Sequence, residues 1–125
     1  MIQEHKEILF KDLSARLSYH VRVKVWLKDG TTEEGALDLE HNYGDVLRDA
    51  FYYNEIIDIK PYLFPLSSMT EEQSKVYHEL IKGMFGTSAL INFEVLTDFF
   101  NSNHLDYRGL IEKSLALDAT GLNIY

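Results

Sequence analysis

The segment that decides the fold reads His20-Val21-Arg22-Val23-Lys24-Val25-Trp26-Leu27-Lys28, and Asp29-Gly30 follows it directly. Apolar and polar residues alternate along it, so an extended chain would carry apolar side chains on one face and basic or aromatic ones on the other. The valines are β-branched and favour a strand. Asp29-Gly30 predicts a tight hairpin turn that returns the chain as a second strand over Thr31 to Glu40.

A helix before this hairpin and two strands after it complete the predicted N-terminal part. Apolar residues recur at every fourth position over Glu4 to Ser18, which indicates an amphipathic helix. Gly35 inside the second strand suggests a bulge or a sharp bend. Val46 to Tyr53 and Glu55 to Lys60 are expected to form two more short strands.

The second half of the chain is predicted to be a rigid connector followed by helices. Pro61 and Pro65 bracket a segment that we expect neither to join a central strand nor to enter a helix. Thr70 and Gln73 have the spacing of a capping box, so a second helix is expected to begin there and to end near Gly83 or Gly86. A third helix is expected from Ser88 to a stop at Asn101-Ser-Asn103, and a short last helix from Leu110 to Leu117.

These elements predict one α+β domain over residues 1–125. Residues 1–60 would form the N-terminal helix and a small, strongly twisted, four- to five-stranded antiparallel sheet or SH3/Sm-like barrel. Residues 61–69 would be the connector bracketed by prolines, and residues 70–125 the helical half.

The composition limits the classes of function. The chain has 20 acidic and 12 basic residues, and its net charge of -8 opposes non-specific binding to phosphate or to an anionic membrane. It has no cysteine, and none of its 5 histidines forms a His-x-x-x-His pair, so we predict no metal site and no cofactor. No apolar run approaches the roughly 20 residues of a membrane span, so a cytoplasmic protein is expected.

Three segments resemble a known family. They are the Lys-Asp-Leu-x-Ala-Arg-Leu pattern of Lys11 to Leu17, the connector of Lys60 to Gln73, and Asp106-Tyr-Arg-Gly-Leu-Ile111 with Leu115-Ala-Leu117. They are similar to short proteins of unknown function from gut bacteria and their phages or prophages. The resemblance implies a phage or mobile-element origin and brings no activity, substrate or catalytic residue.

A second resemblance covers the strands alone. The pattern from Val21 to Ala50 is similar to the Sm-type barrel, which begins with a helix and often binds RNA in rings. This chain departs from it at Glu40 to Asp45, where the spacing differs from the base-binding motif of that family, and at Ile59, which Lys60-Pro61 follows in place of an Arg-Gly pair.

Two groups of residues are candidate binding sites. Arg22, Lys24, Trp26 and Lys28 share one strand face, where a base or sugar could stack on the indole between cations. The alternative is a solvated face with Trp26 covered by the C-terminal helices. Tyr107 and Arg108 could instead contact a partner protein; alternatively, Asp106 caps the last short helix while Arg108 pairs with an acid across the turn.

The predicted function is a non-enzymatic protein-interaction module that binds an unidentified protein. Its contact surface would be an exposed edge of the sheet, which could also join copies of the chain, or the Tyr107-Arg108 turn. An Sm-like nucleic-acid-binding protein is the alternative, and a small hydrolase is a third. The last four residues, Leu122 to Tyr125, would form the last core strand or dock onto another protein, and their apolar character favours docking onto the domain itself.

Overall fold

A computed structural model describes residues 2–37, 56–83 and 89–125; for residues 83 and 89–92 it describes the backbone alone. The helices are α1 (Gln3–Arg16), α2 (Glu71–Gly83) and α3 (Ala89–Ser102). The strands are β1 (Arg22–Leu27), β2 (Thr32–Ala36), β3 (Ile56–Pro65), β4 (Leu105–Asp106) and β5 (Leu117–Asp118). The predicted strand from Val46 to Tyr53 lies outside the described residues.

The five strands form one mixed sheet. β1 pairs with β2 and with β3, both antiparallel, while β4 and β5 each pair with β3 in parallel. The α+β class with an N-terminal helix is therefore confirmed, but the strands within the described residues do not close into a barrel and are not all antiparallel. The parallel pairs follow β3 in the chain. The chain passes through α2 and α3 between β3 and β4, and a connection of this length allows β4 to run parallel to β3.

The hairpin between β1 and β2 forms as the sequence predicts. Leu27 and Thr31 close the turn through a 2.9 Å backbone hydrogen bond, and Gly30 has φ 87°. The Asp29 carboxylate accepts hydrogen bonds from the amide and the hydroxyl of Thr31, which lower its pKa. A residue in the left-handed conformation at this position is typical of three-residue hairpin loops.

The bulge lies in a different strand from the predicted one. The β1–β2 register passes from Arg22–Ala36 to Trp26–Thr32 without a shift, so Gly35 makes no bulge. The register shifts between β1 and β3 instead, where Trp26 is opposite Asp58 and Leu27 is opposite Ile56. Ile57 is the extra residue and is 62% exposed.

The prediction that Pro61 and Pro65 exclude their segment from a strand is wrong, because both lie in β3. Pro61 is opposite Val23. In β1 the backbone groups of odd-numbered residues face β2, as the bond from Leu37 N–H to the Val21 carbonyl shows. Val23 and Pro61 therefore form a pair that makes no hydrogen bond between β1 and β3. The missing N–H of Pro61 removes no bond from this ladder.

The helices follow the sequence signals closely except at the end of the chain. Thr70 and Gln73 form the capping box, with bonds of 3.0 and 3.1 Å between each side chain and the other residue's amide. The predicted helix over residues 110–117 is wrong. Turns occupy that segment, and Leu117 enters β5, where it pairs with Tyr62 of β3.

The core is divided into two clusters by β3. One packs α1 against β1, β3 and residues 110–116, with Leu9, Leu13 and Leu63 fully buried. The other packs α2 and α3 around Leu105 and against Phe64. Successive residues of a strand point to opposite faces, so Leu63 and Phe64 serve different clusters. The α2–α3 hairpin thus covers the outward face of the sheet near β4.

Candidate functional site

The outward face of β1 and β3 carries a group of basic and aromatic side chains. Arg22, Lys24 and Trp26 alternate with buried valines on β1, and the register places Lys60 of β3 opposite Lys24. We call Arg22, Lys24, Trp26 and Lys60 the basic sheet face. The sequence predicted three of these four residues.

Trp26 lies between two cations on this face. The Lys24 ammonium is 5.4 Å from the indole centroid and the Lys60 ammonium is 5.6 Å from it. Both distances are in the range of cation–π attraction, which holds the lysine side chains beside the ring. The cluster that α2 and α3 pack includes Phe64 but not Trp26. Among the described residues, the helices therefore do not pack over the indole.

Glu34 of β2 is an acid beside this face, and it already has two partners. Its carboxylate is 4.0 Å from the Lys24 ammonium and accepts a 2.5 Å hydrogen bond from the Tyr62 hydroxyl, which reaches across β1 from β3. Burial, followed by this bond to an anion, raises the pKa of Tyr62 to about 12. Glu34 therefore offsets part of the positive charge of the face without covering Trp26.

Two further residues extend the surface. Lys28, the third basic residue of the predicted strand face, lies instead in the hairpin turn after β1, where it is exposed. Ile57, at the bulge opposite the Trp26–Leu27 step, adds an exposed apolar side chain at that end of the sheet. Sequence reasoning missed Tyr62 because it ended the strand at Lys60, before Pro61, and it missed Lys60 because the β1–β3 register that places this residue opposite Lys24 is not visible in the sequence. The polar and apolar alternation, however, continues through Asp58, Lys60 and Tyr62.

The predicted partner-contact pair, Tyr107 and Arg108, is largely engaged inside the protein. Arg108 Nε donates a 3.1 Å hydrogen bond to Asp12 of α1, and its side chain is 22% exposed. Its Nη2 also donates to the Tyr107 hydroxyl at 2.9 Å. Arg108 thus pairs with an acid, but this acid is Asp12 of α1 and not, as the alternative interpretation expected, a residue across the turn.

Asp12 holds a second arginine from its own helix. Arg16 Nε donates to the other Asp12 oxygen at 2.9 Å, and both residues are fully buried. The Tyr107 ring stacks on Phe100 at 5.0 Å and lies within 5.4 Å of the guanidinium carbons of both Arg16 and Arg108. Two segments that carry the family resemblance, around residues 11–17 and 106–111, therefore meet at this buried ionic cluster.

Asp106 stabilises the turn beside this cluster. Its two carboxylate oxygens accept 2.9 Å hydrogen bonds from the amides of Leu110 and Ile111. The capping role that the sequence suggested is present, although it caps a turn and not a helix. An open groove of about 410 Å³ lies beside Asp106 and Tyr107, with Leu66 and Ile111 in its lining.

The last residues of the chain dock onto the sheet. The Tyr125 hydroxyl accepts a 2.8 Å hydrogen bond from the Arg22 amide and donates a 2.7 Å bond to the Tyr62 carbonyl. Its ring stacks on His104, with centroids 3.7 Å apart. Burial, and then the nearby Arg16, lower the pKa of His104 to about 4. Burial also raises the pKa of Tyr125 to about 12.

Residues 2–37, 56–83 and 89–125 contain no group of three or more histidine, aspartate or glutamate side chains arranged to hold a metal ion. None of the helices in these ranges combines the length and apolar character that crossing a bilayer requires. Comparison with protein-family models, with curated proteins and with solved structures finds no match to this chain.

Proposed function

We propose that this protein is a non-enzymatic interaction module of the cytoplasm, of phage or mobile-element origin, that binds an acidic segment of a partner protein through its basic sheet face. The observation that carries the proposal is the position of the partly exposed Trp26 between Lys24 and Lys60 on the outward face of the sheet. Tryptophan and arginine are the residue types that most often dominate binding energy at protein interfaces.

The charges of this surface favour an acidic partner. The chain as a whole carries a net charge of -8. On this face, the three cations outnumber two neighbouring acids: Glu34, which also accepts a bond from Tyr62, and Asp58, which lies opposite Trp26 and accepts a bond from the amide of Ile59. Complementary charge of this kind selects partners and sets the rate of association.

An exposed apolar side chain beside the charged residues favours a protein partner over a nucleic acid. Ile57 is 62% exposed at the bulge, next to the pair that Trp26 forms with Asp58. An exposed isoleucine next to a partly exposed tryptophan matches the aromatic and apolar centre of a protein interface, with lysines as its polar rim. The Tyr107-Arg108 turn is the weaker candidate, because its guanidinium and ring already have internal partners.

Binding of single-stranded nucleic acid is the second candidate function. Lys60 favours it, since it adds a cation beside an aromatic ring on which a base could stack. The net charge of -8 opposes any acidic partner, and it weighs more against nucleic acid because attraction to phosphates supplies most of the affinity of such proteins.

The test is a pull-down from native extract with and without nuclease, followed by direct binding of the purified partner. A Lys24→Glu, Lys60→Glu double variant should weaken binding at least tenfold, roughly the effect of two interface charges. Lys75→Glu, Lys82→Glu makes the same change in net charge at exposed positions of α2 and should bind normally. Equal loss in both variants would contradict the proposal, and loss of binding with nuclease would favour the second candidate.

A further inference from the structure

Two strands, β1 and β4, follow one another along one edge of β3, and their hydrogen bonds to β3 meet at a junction. Tyr62 directs its carbonyl toward β1, since it accepts the bond that links it through Tyr125 to Arg22. Phe64, two residues later, directs its amide to the carbonyl of His104 at the start of β4. Backbone groups two residues apart in a strand point to the same side. β1 and β4 therefore lie along the same edge of β3. The Arg22 end of β1 lies beside Tyr62, and β4 begins beside Phe64.

The Tyr125 hydroxyl lies at this junction in the place of a ladder hydrogen bond. The register pairs Lys24 with Lys60, so its continuation places Arg22 opposite Tyr62. In a regular antiparallel ladder these two residues would exchange a direct bond from amide to carbonyl. Here the hydroxyl accepts from the Arg22 amide and donates to the Tyr62 carbonyl, so both backbone groups are satisfied through the inserted side chain.

The aromatic ring of Tyr125 anchors an otherwise exposed segment. It stacks on His104 at 3.7 Å and meets Phe64 at 5.7 Å. Residues 120–123 are exposed, and Gly121 and Asn123 have φ of 79° and 54°. The contacts of the Tyr125 side chain thus fix where this segment lies on the sheet.

We infer that Tyr125 is a positioning residue for the basic sheet face, a role that rests on the proposed function. Its hydroxyl fixes the Arg22 end of β1 against Tyr62. The Tyr62 phenol in turn holds Glu34, which is the acid paired with Lys24. Without the hydroxyl, the first residues of β1 separate from β3, and the spacing of Arg22, Lys24 and Glu34 is no longer fixed.

The test is Tyr125→Phe, which keeps the ring and removes the hydroxyl. We expect amide exchange at Arg22 to accelerate about fivefold, as loss of one hydrogen bond predicts, with exchange at Val25 and Ile59 in the strand centres unchanged. Tyr19→Phe, which removes a hydroxyl bonded to Asp98, is the matched control and should leave Arg22 exchange unchanged. Unchanged exchange at Arg22 in Tyr125→Phe, or equal acceleration at all three amides, would overturn the inference.

A binding measurement separates this inference from the proposed function. The probe is poly-L-glutamate, titrated while the fluorescence of Trp26, the only tryptophan in the chain, is recorded. Tyr125→Phe should weaken binding about threefold to tenfold, and Tyr19→Phe should not. If the unaltered protein does not respond to the probe, the proposed function is contradicted and the exchange result still decides whether the hydroxyl orders β1. If it responds and Tyr125→Phe binds equally well, the positioning role is wrong.

Discussion

The buried Asp12 carboxylate connects two arginines that are far apart in the sequence. One oxygen accepts from Arg16 at 2.9 Å and the other from Arg108 at 3.1 Å, and the carboxylate is fully buried. Arg16 Nη2 also donates to the Leu105 carbonyl at 2.7 Å, so the cluster joins α1 to β4. Buried charges are tolerated when they are paired in this way, and removal of one partner leaves the others uncompensated.

We predict that Asp12→Asn lowers the free energy of unfolding by about 3 kcal/mol, because two guanidinium groups lose their common anion in a buried site. The measurement is urea denaturation followed by circular dichroism. Asp118→Asn, at an exposed position of β5, is the control and should change stability by less than about 0.5 kcal/mol. A loss in Asp12→Asn no larger than that of the control would contradict a stabilising role for the cluster.

His104 should make the fold sensitive to acid. Its pKa is lowered from 6.5 to about 4 in the folded protein, so the unfolded chain binds the proton more readily. The stability that the neutral ring contributes is complete above pH 6.5 and is lost as the pH falls from there toward 4, by up to about 3 kcal/mol.

The measurement is the free energy of unfolding at pH 7 and at pH 4.5 for the unaltered protein and for His104→Asn. Asparagine tolerates the φ of 56° at this position and does not titrate. We expect the unaltered protein to lose more stability between the two pH values than the variant. Equal losses in both proteins would show that carboxylates alone cause the acid sensitivity.

At the scale of elements, periodicity and turn chemistry predicted the structure correctly where it depends on residues close together in the sequence. The alternation over residues 21–27, the Asp29-Gly30 turn and the Thr70–Gln73 capping box all form as predicted. They depend on residues within a few positions of one another. The Pro61 prediction failed because a proline is excluded only where its amide faces a partner strand, and that depends on a register that the sequence does not reveal.

The same limit explains the error near the end of the chain. Residues 110–117 have an apolar spacing that suits a helix, but Asp106 closes a turn at Leu110 and Ile111, and β3 offers its backbone to Leu117. Tertiary pairing thus overrode local preference. Lys60 was missed as a member of the basic sheet face for a related reason, since only the β1–β3 register brings it to Lys24.

The capping box gives a direct prediction for α2. Thr70→Ala removes the hydroxyl that accepts the Gln73 amide at 3.1 Å and should lower the free energy of unfolding by about 1 kcal/mol. The expected result in urea denaturation is a lower midpoint with an unchanged slope. Thr120→Ala, at an exposed position outside the helices, is the control. A midpoint equal to that of the control would show that the cap contributes nothing to the whole protein.

At the scale of the whole molecule, the outward face of the sheet is divided into a covered and an open part. The α2–α3 hairpin packs on Phe64 near β4, while Lys24, Trp26 and Lys60 lie beyond that cluster. Arg16 and the largely buried Arg108 are paired with Asp12 inside the protein, whereas the cations of the basic sheet face lie on the outward face of the sheet. Recognition of an acidic protein segment there is the central claim.

The measurement that tests this claim most directly is a titration of the protein with poly-L-glutamate and with single-stranded oligo(dT), followed through Trp26 fluorescence. We predict a saturable response to poly-L-glutamate that weakens at least tenfold in Lys24→Glu, Lys60→Glu and persists in Lys75→Glu, Lys82→Glu. A response to oligo(dT) alone, or to neither probe, would contradict the claim.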